Sequence, residues 1–223
     1  MGWRNLTELH LPAIVDFTQN AFYFGSSLKN IHLGCELKSF SVEAVSGFCN
    51  SVRVYVDPAC ESYLSVGGSV LSKDRRVLYY LCTEEDLNDF LPDLKCLQPW
   101  SVWKTPDHLS FDGDIHVMGN AVNCSDLKTV KLGKDCRAER SAFISCGGLR
   151  SIEINGRACN GVFDYDKNEV KLRGLFISEC SMDTNICGIF TNADKITVEK
   201  LTLSAVEFSC ADSRVFADRK SVV

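Results

Sequence analysis

The chain has 223 residues, of which 45% are hydrophobic and 24% charged, and this balance is typical of a globular protein with a large buried core. Its formal net charge of −5 argues against a nucleic-acid-binding groove, which needs clustered Lys and Arg, and against an anionic membrane surface. No run of about 18 apolar residues occurs, so no membrane-spanning helix is expected.

The N-terminal residues, MGWRNLTELHLP, lack the basic region, apolar core and cleavage site of a signal peptide. The chain is therefore expected either to be cytosolic or to begin after its leader. The twelve cysteines are too sparse for a disulfide scaffold and form no CxxC pair, so no structural zinc site is expected.

An apolar pattern, LxxLxL, recurs along the chain in six copies. The intervals between starts are 22 residues for the first two copies and 22, 23 and 26 for the later four. The copies are Leu6-Leu9-Leu11, Leu28-Ile31-Leu33, Leu127-Val130-Leu132, Leu149-Ile152-Ile154, Leu172-Leu175-Ile177 and Val198-Leu201-Leu203. A small or branched residue before Phe or Val, such as Ala142-Phe143, follows each copy after 13 to 17 residues. Such periodicity is typical of a solenoid.

Each repeat is predicted to form one short strand whose three apolar residues point inward, followed by a turn and a returning segment. The pair ending in Phe or Val would close the core from the convex side. Strands of successive repeats would stack about 4.8 Å apart into a parallel sheet. A small residue such as Cys146 would occupy the tight return to the next strand.

In chain order, regular repeats are predicted for residues 6–51, an irregular section for 52–126, and further repeats for 127–223. Inside the irregular section, Lys73-Asp74-Arg75 is predicted to form the turn of a hairpin. TEEDLNDFL, which begins at Thr83, has an N-cap residue followed by acidic residues and predicts a short helix.

Several segments resemble the BspA type of leucine-rich repeat. They are NAFYFGSSL, SAFISCGGL and NAVNCSDL at the ends of repeats, together with SVRVYVDPACESYL and GSVLSKDRRVLYYL in the middle of the chain. The resemblance implies a mostly β, α/β-type repeat fold. Residues 1–223 are accordingly predicted to form a single leucine-rich-repeat solenoid, with short parallel strands on its concave face and an irregular hairpin and helix insertion in its middle.

Two features that suggest chemistry are interpreted as architecture. Cys146 has no histidine at an equivalent position to activate it, and a free cysteine often behaves as a small buried apolar residue. Asp112 and Asp114 flank a glycine and are predicted to form a turn. GxSxG, GxGxxG and P-loop motifs are absent, so no catalytic residue and no cofactor are predicted.

Two histidines are predicted to stack. His10 and His32 occupy the same position in neighbouring strands, whereas His116 falls on a returning segment and would not extend the row. Two imidazole nitrogens make a poor zinc site without a third ligand, so a polar row and no metal are predicted.

The remaining candidate for function is the concave surface, which is rigid and broad and therefore suits a protein partner. Its middle is basic although the chain is acidic, which predicts a partner with an acidic surface. Phe176 is predicted to be an exposed anchor within this patch. The predicted ligand-binding residues are His10, His32, Lys128, Lys131, Arg150, Ser151, Glu153, Arg173, Phe176 and Lys200.

Three classes of function stay open. The BspA resemblance implies a non-enzymatic binding protein for surface adhesion or for recognition of host and matrix proteins. The missing leader and the many thiols favour an intracellular scaffold instead. A third class is a parallel β-helix enzyme acting on polysaccharide, although the acidic residues do not stack at one repeat position as that would require. No nucleic acid, small-molecule cofactor or membrane insertion is expected.

Overall fold

The computed structural model of the chain describes residues 5–18, 27–46, 52–83, 92–103, 106–155, 157–158, 161–165, 170–178, 181–182, 186–191, 196–205 and 207–208. The chain divides into two compact units, Met1–Leu94 and Lys95–Val223. In the described residues of both, the regular secondary structure consists almost entirely of short β-strands. The prediction that residues 1–223 form a single solenoid remains a prediction.

The described part of the first unit contains short strands and one helical turn. They are β1 (Glu8–Leu11), β2 (Asp16–Phe17), β3 (Asn30–Leu33), β4 (Ser39–Phe40), α1 (Glu43–Ser46), β5 (Arg53–Val56), β6 (Tyr63–Val66), β7 (Ser69–Ser72) and β8 (Val77–Tyr80). The order β1-β3-β5 forms a parallel sheet, and β2 pairs with β4 in parallel. Strands β6, β7 and β8 are antiparallel neighbours.

The described part of the second unit contains more strands of the same kind and one turn of 3-10 helix, Ile186–Ile189. They are β9 (Cys96–Leu97), β10 (Val102–Trp103), β11 (His108–Phe111), β12 (His116–Val117), β13 (Val122–Asn123), β14 (Thr129–Leu132), β15 (Arg137–Ala138), β16 (Phe143–Ile144), β17 (Ser151–Ile154), β18 (Arg157–Ala158), β19 (Phe163–Asp164), β20 (Val170–Leu172), β21 (Gly174–Ser178), β22 (Ser181–Met182), β23 (Ile196–Val198), β24 (Leu201–Ser204) and β25 (Glu207–Phe208).

Parallel sheets run through the second unit from coil to coil, where a coil is one repeat of the chain. The largest is the five-stranded sheet β11-β14-β17-β21-β24. A four-stranded sheet, β10-β13-β16-β19, and the parallel strands β9-β12-β15-β18 accompany it. A coil therefore contributes three strands rather than the single strand that the sequence predicts, because its returning segment also pairs with the neighbouring coils.

The apolar triplets form the core as predicted in the inner coils. Leu127, Leu132, Leu149 and Ile152 have no solvent exposure, and burial of such side chains contributes about 1.5–3 kcal/mol each. The first and last triplets differ, since Leu203 is 36% exposed. In the described part of the chain, β1 and β24 lie at the edges of their sheets and have a neighbour on one side only.

The aromatic residues of the returning segments form a column inside the second unit. The rings of Phe143 and Phe163 lie 5.0 Å apart, and those of Phe163 and Phe190 lie 5.7 Å apart. Phe143 and Phe163 are fully buried, as is Ala142 beside them. The predicted pairs Ala44-Val45, Ala142-Phe143, Val162-Phe163 and Ile189-Phe190 are therefore buried in the core, whereas the pairs at 21–22 and 215–216 lie outside the described residues.

The predicted hairpin is also present, because β7 and β8 pair in antiparallel fashion across the turn at Lys73-Asp74-Arg75. Ser72 Oγ donates a hydrogen bond to Asp74 Oδ1 at 2.6 Å, and the backbone N–H of Arg76 donates to the same oxygen at 3.1 Å. The predicted helix that begins at Thr83 falls on residues 84–91, which lie outside the described residues.

The section 52–126 contains regular coil strands that the apolar pattern does not reveal. Arg53–Val56 pairs in parallel with β3, and His108–Phe111 pairs with β14. Leu109 and Phe111 are buried like the last two residues of a triplet, and Pro106 is buried where the first apolar residue would stand. A proline in place of leucine hides this repeat from a search for LxxLxL.

Left-handed corners form a second regular column in the second unit. Trp100, Asn120 and Ser141 have φ angles of 62°, 60° and 54°, and Gly161 has 70°. Each corner N–H donates to the carbonyl of the corner in the next coil, at 2.7 Å from Trp100, 2.8 Å from Asn120 and 2.7 Å from Ser141. These bonds offset the roughly 1–2 kcal/mol that a left-handed conformation costs a residue with a Cβ atom.

None of the helices in the described part of the chain is long and apolar enough to cross a lipid bilayer.

Candidate functional site

The two histidines of the first unit stack as predicted. His10 pairs with His32 across β1 and β3, and their rings lie 4.4 Å apart with planes inclined by only 4°. The register continues to Tyr55 in β5, whose ring lies 4.9 Å from that of His32. A row of three stacked rings therefore crosses this sheet.

Glu8 joins the histidine row, which the sequence reasoning missed. Its Oε1 atom lies 2.9 Å from His32 Nε2 and 3.7 Å from His10 Nε2. The signal was available, because residues two apart in a strand share a face and Glu8 precedes His10 by two. Glu8 and His10 are exposed, whereas His32 is half-buried between its neighbours.

The five-stranded sheet of the second unit presents the other predicted residues on the side away from its core, here called the outer face. One row across it, in register, is Ser110, Lys131, Glu153, Phe176 and Thr202. A parallel row contains Thr129, Ser151 and Gly174. Lys131, Ser151, Glu153 and Phe176 are half-buried.

The cations that precede the strands also follow one another from coil to coil. The N–H of Arg150 donates to the carbonyl of Lys128 at 2.8 Å, and the N–H of Arg173 donates to that of Arg150 at 2.7 Å. All three side chains are exposed. Main-chain hydrogen bonds therefore place these three cations beside one another in consecutive coils.

Acidic residues of the preceding coil pair with half of the predicted basic patch. Asp107 accepts a hydrogen bond from Lys128, which lowers the pKa of the carboxyl, and Lys131 Nζ lies 3.2 Å from Asp112 Oδ1. The hydrogen bond with Asp112 raises the pKa of Lys131. Among the residues that the structure describes, no carboxylate forms an ion pair with Arg150. Two of the cations in the predicted basic patch, Lys128 and Lys131, therefore have carboxylate partners.

Phe176 lies along the sheet instead of projecting as an exposed anchor. Its ring covers Gly174, where an added Cβ atom would come within 2.5 Å of Cε2. The Nζ atom of Lys200 lies 5.9 Å from the ring centroid, a cation-π distance. The prediction of an exposed side chain is wrong because the neighbouring glycine leaves room for the ring to fold down.

Comparison with known proteins identifies the fold. No family model and no curated protein matches the chain. The crystal structure of the pneumococcal vaccine antigen PcpA is similar at 15% identity with a TM-score of 0.52, covering 91% of this chain and 68% of that chain. The fold is a mostly β solenoid of stacked repeats. The resemblance seen in the sequence is thus confirmed at the level of the repeat.

Two further leucine-rich-repeat structures match with lower TM-scores. A leucine-rich repeat protein from Eubacterium ventriosum has 9% identity and a TM-score of 0.47, covering 88% of this chain and 55% of that chain. A leucine rich cell surface protein from Faecalibacterium prausnitzii has 13% identity and a TM-score of 0.43, covering 93% and 61%. The chain spans less than two thirds of the length of these two proteins.

Cys146 lies in the return corner of its repeat, as predicted. Its thiol is fully buried and donates to the carbonyl oxygen of Ile144 at 3.3 Å. Burial raises the pKa of Cys146 to about 12, and it also raises the pKa of Cys124 in the preceding coil. Because the thiolate is the nucleophile, Cys146 is not set up for catalysis at neutral pH.

Asp112 and His116, which also suggested chemistry, have structural partners within the repeats. Asp112 and Asp114 are exposed on either side of Gly113, and Asp112 accepts a hydrogen bond from Ser110 Oγ at 3.3 Å. His116 lies in β12 on the returning segment, as predicted, and its Nε2 atom is 2.7 Å from Glu139 Oε1.

Proposed function

We propose that the chain is a non-enzymatic protein-binding module whose contact surface is the outer face of the five-stranded sheet. Five strands in continuous register hold this face fixed, so little conformational freedom would be lost on binding. The BspA resemblance of the sequence and the shared fold with the vaccine antigen PcpA favour adhesion or recognition of host and matrix proteins.

The observation that supports this proposal most strongly is a group of cationic and aromatic side chains on one half of the face. Arg150, Arg173 and Lys200 are exposed, and Phe176 lies beneath Lys200. Arginine and aromatic residues dominate the hot spots of protein interfaces. The half that precedes it is neutralised by Asp107 and Asp112, so an acidic partner would be attracted to this group.

The proposal is tested by measuring binding to immobilised fibronectin, laminin, collagen and fibrinogen with biolayer interferometry. We expect one of them to bind the wild-type chain saturably. A double charge reversal, Arg150→Glu with Arg173→Glu, should weaken that affinity at least about ten-fold, because a repulsive pair replaces an attractive one at a hot spot.

A matched control is available in the same unit. Arg137 and Arg157 are also exposed and adjacent in register, but they lie in the β12-β15-β18 strands and not on the outer face. Arg137→Glu with Arg157→Glu changes net charge equally and should leave affinity unchanged. Equal weakening by both double variants would show only a general charge effect, and absence of binding to all four proteins would contradict the matrix-recognition role.

An intracellular scaffold is the second candidate, and the cysteines favour it. Cys35, Cys60, Cys96, Cys124, Cys136 and Cys146 are thiols and not disulfides. Such thiols persist in a reducing compartment. Titration of thiols in the chain purified without reductant distinguishes the candidates, since a mostly disulfide-bonded chain would be incompatible with a cytosolic role.

A further inference from the structure

The geometry points to a binding site for a divalent transition-metal ion on the first unit, formed by Glu8, His10 and His32. Their donor atoms, one from each side chain, all lie within 4.8 Å of one another. Among the described residues, this is the only group of three or more such ligands that comes so close. The site is independent of the protein-binding face proposed for the second unit.

Two of the three distances between ligand atoms are close to those that a tetrahedral ion requires. Bonds of about 2.0–2.1 Å from zinc to nitrogen or oxygen place two ligand atoms roughly 3.3 Å apart. Glu8 Oε1 is 2.9 Å from His32 Nε2 and 3.7 Å from His10 Nε2, so the required value lies between the two. The ion would occupy the space between these atoms and replace the hydrogen bond between Glu8 and His32.

The backbone already holds the three ligands on one face. Glu8 and His10 alternate with Leu9 in β1, and β3 places His32 beside His10 in exact register of the parallel ladder. His32 is further fixed by the Tyr55 ring on its other side. Two of the three ligands can therefore bind with little loss of conformational freedom.

His10 is the ligand that must move. Its ring is parallel to that of His32, so the two nitrogen lone pairs do not yet converge on one point. The side chain of His10 is 64% exposed, and torsion of an imidazole about its Cβ–Cγ bond is soft, so a rotation can bring its Nε2 lone pair toward the ion. The stacking between the two rings would be weakened in exchange for a metal bond.

The ligand set selects the class of ion. Two imidazole nitrogens and one carboxylate suit zinc, nickel and copper, whereas calcium and magnesium prefer oxygen ligands only. Three protein ligands leave the fourth tetrahedral position for water or for a group supplied from outside, as in catalytic rather than structural zinc sites. The sequence analysis considered only two ligands, His10 and His32, which are too few for a zinc site. The carboxylate of Glu8 supplies the third ligand.

Isothermal titration calorimetry of the full chain with zinc chloride tests this site. We expect one zinc ion per chain, with no heat of binding for calcium or magnesium. His10→Ala, His32→Ala and Glu8→Gln should each raise the dissociation constant at least about ten-fold, since even loss of a group that only orients a metal ligand costs that much. Because His10 is exposed, His10→Ala should affect folding least of the three variants.

His116→Ala is the matched control, because His116 also pairs with a carboxylate but, among the described residues, no third ligand atom lies within 4.8 Å of both. It should leave zinc affinity unchanged. Substitution of cobalt for zinc gives an independent spectroscopic readout, and the bound ion should show visible d–d bands without a thiolate charge-transfer band. Absence of saturable zinc binding, unchanged affinity in folded His10→Ala, or a thiolate band would each overturn the assignment.

A failure here leaves the protein-binding proposal intact, since the variants that test the two proposals lie in different units.

Discussion

A Cβ atom at Gly148 would lie 2.3 Å from the carbonyl oxygen of Ser125 in the preceding coil, and 3.0 Å from that of Leu127. Gly147, its immediate neighbour, has nothing within 4 Å of the same position. Of these two glycines in the SAFISCGGLR segment, Gly148 is therefore required for the close approach of one coil to the next.

This contrast predicts that Gly148→Ala destabilises the chain by about 2 kcal/mol, because backbone atoms would have to separate. The thermal midpoint followed by circular dichroism should fall by roughly 4–8 °C. Gly147→Ala serves as the control and should change the midpoint little. Equal midpoints for the two variants would show that the coils are not packed as described.

Removal of the central ring of the aromatic column should be far more costly than removal of a ring on the outer face. Phe163→Ala leaves a cavity between Phe143 and Phe190 and should lower the free energy of unfolding by about 3–5 kcal/mol. Phe176→Ala, on a half-buried side chain, should cost less than about 1.5 kcal/mol. Urea titration measures both, and similar losses would contradict the assignment of core and surface.

The Glu139 carboxylate should make stability depend on pH below neutrality. Its pKa is lowered from 4.5, first by the Gly119 N–H, which donates at 3.0 Å, and then by His116. A lowered pKa in the folded state means that ionised Glu139 stabilises the fold above its unfolded pKa, and that this contribution is lost as pH falls through the folded pKa.

Glu139→Gln should therefore be less stable than the wild type at about pH 6, by at most about 1 kcal/mol because water screens a side chain that is 41% exposed. The difference should shrink as the pH is lowered toward about 3. Denaturant titrations of both proteins at several pH values measure it. If the difference in stability between the two proteins grew as the pH fell, the proposed effect of Glu139 ionisation on stability would have the wrong sign.

Cysteine reactivity should follow exposure and pKa. Cys35 is exposed, whereas Cys146 is buried and its pKa is raised to about 12. In a native titration with a disulfide exchange reagent, Cys35→Ser should remove one equivalent from the fast phase. Cys146→Ala should leave the fast phase unchanged, and loss of a fast equivalent in that variant would show that the thiol is accessible.

The sequence was sufficient to predict the stacked coils of the second unit wherever the repeat kept its residue types. Leu149, Ile152 and Ile154 alternate with polar residues, and the structure buries all three. The position of Cys146 within the repeat likewise predicted that it lies in the return corner. Recurrence of the same pattern at regular intervals along the chain predicts these features, so no knowledge of specific contacts between coils was needed.

The charge of the outer face could not be predicted in the same way. Because Pro106 stands where a leucine is expected, the repeat that contains β11 was not recognised. The pairing of Asp107 with Lys128 and of Asp112 with Lys131 was therefore missed as well. These partners are about one coil apart in sequence, and only the parallel register brings them together. Because this repeat was not recognised, the sequence prediction of a basic patch included Lys128 and Lys131 without their carboxylate partners.

The corners at Trp100, Asn120 and Ser141 have different side chains but the same left-handed backbone and the same bond to the next coil. The corner therefore accepts several types of side chain, held by the same main-chain bond. Because Asn120 is exposed, a cysteine there, which is not β-branched, is a suitable place to attach a fluorophore or a cross-linker.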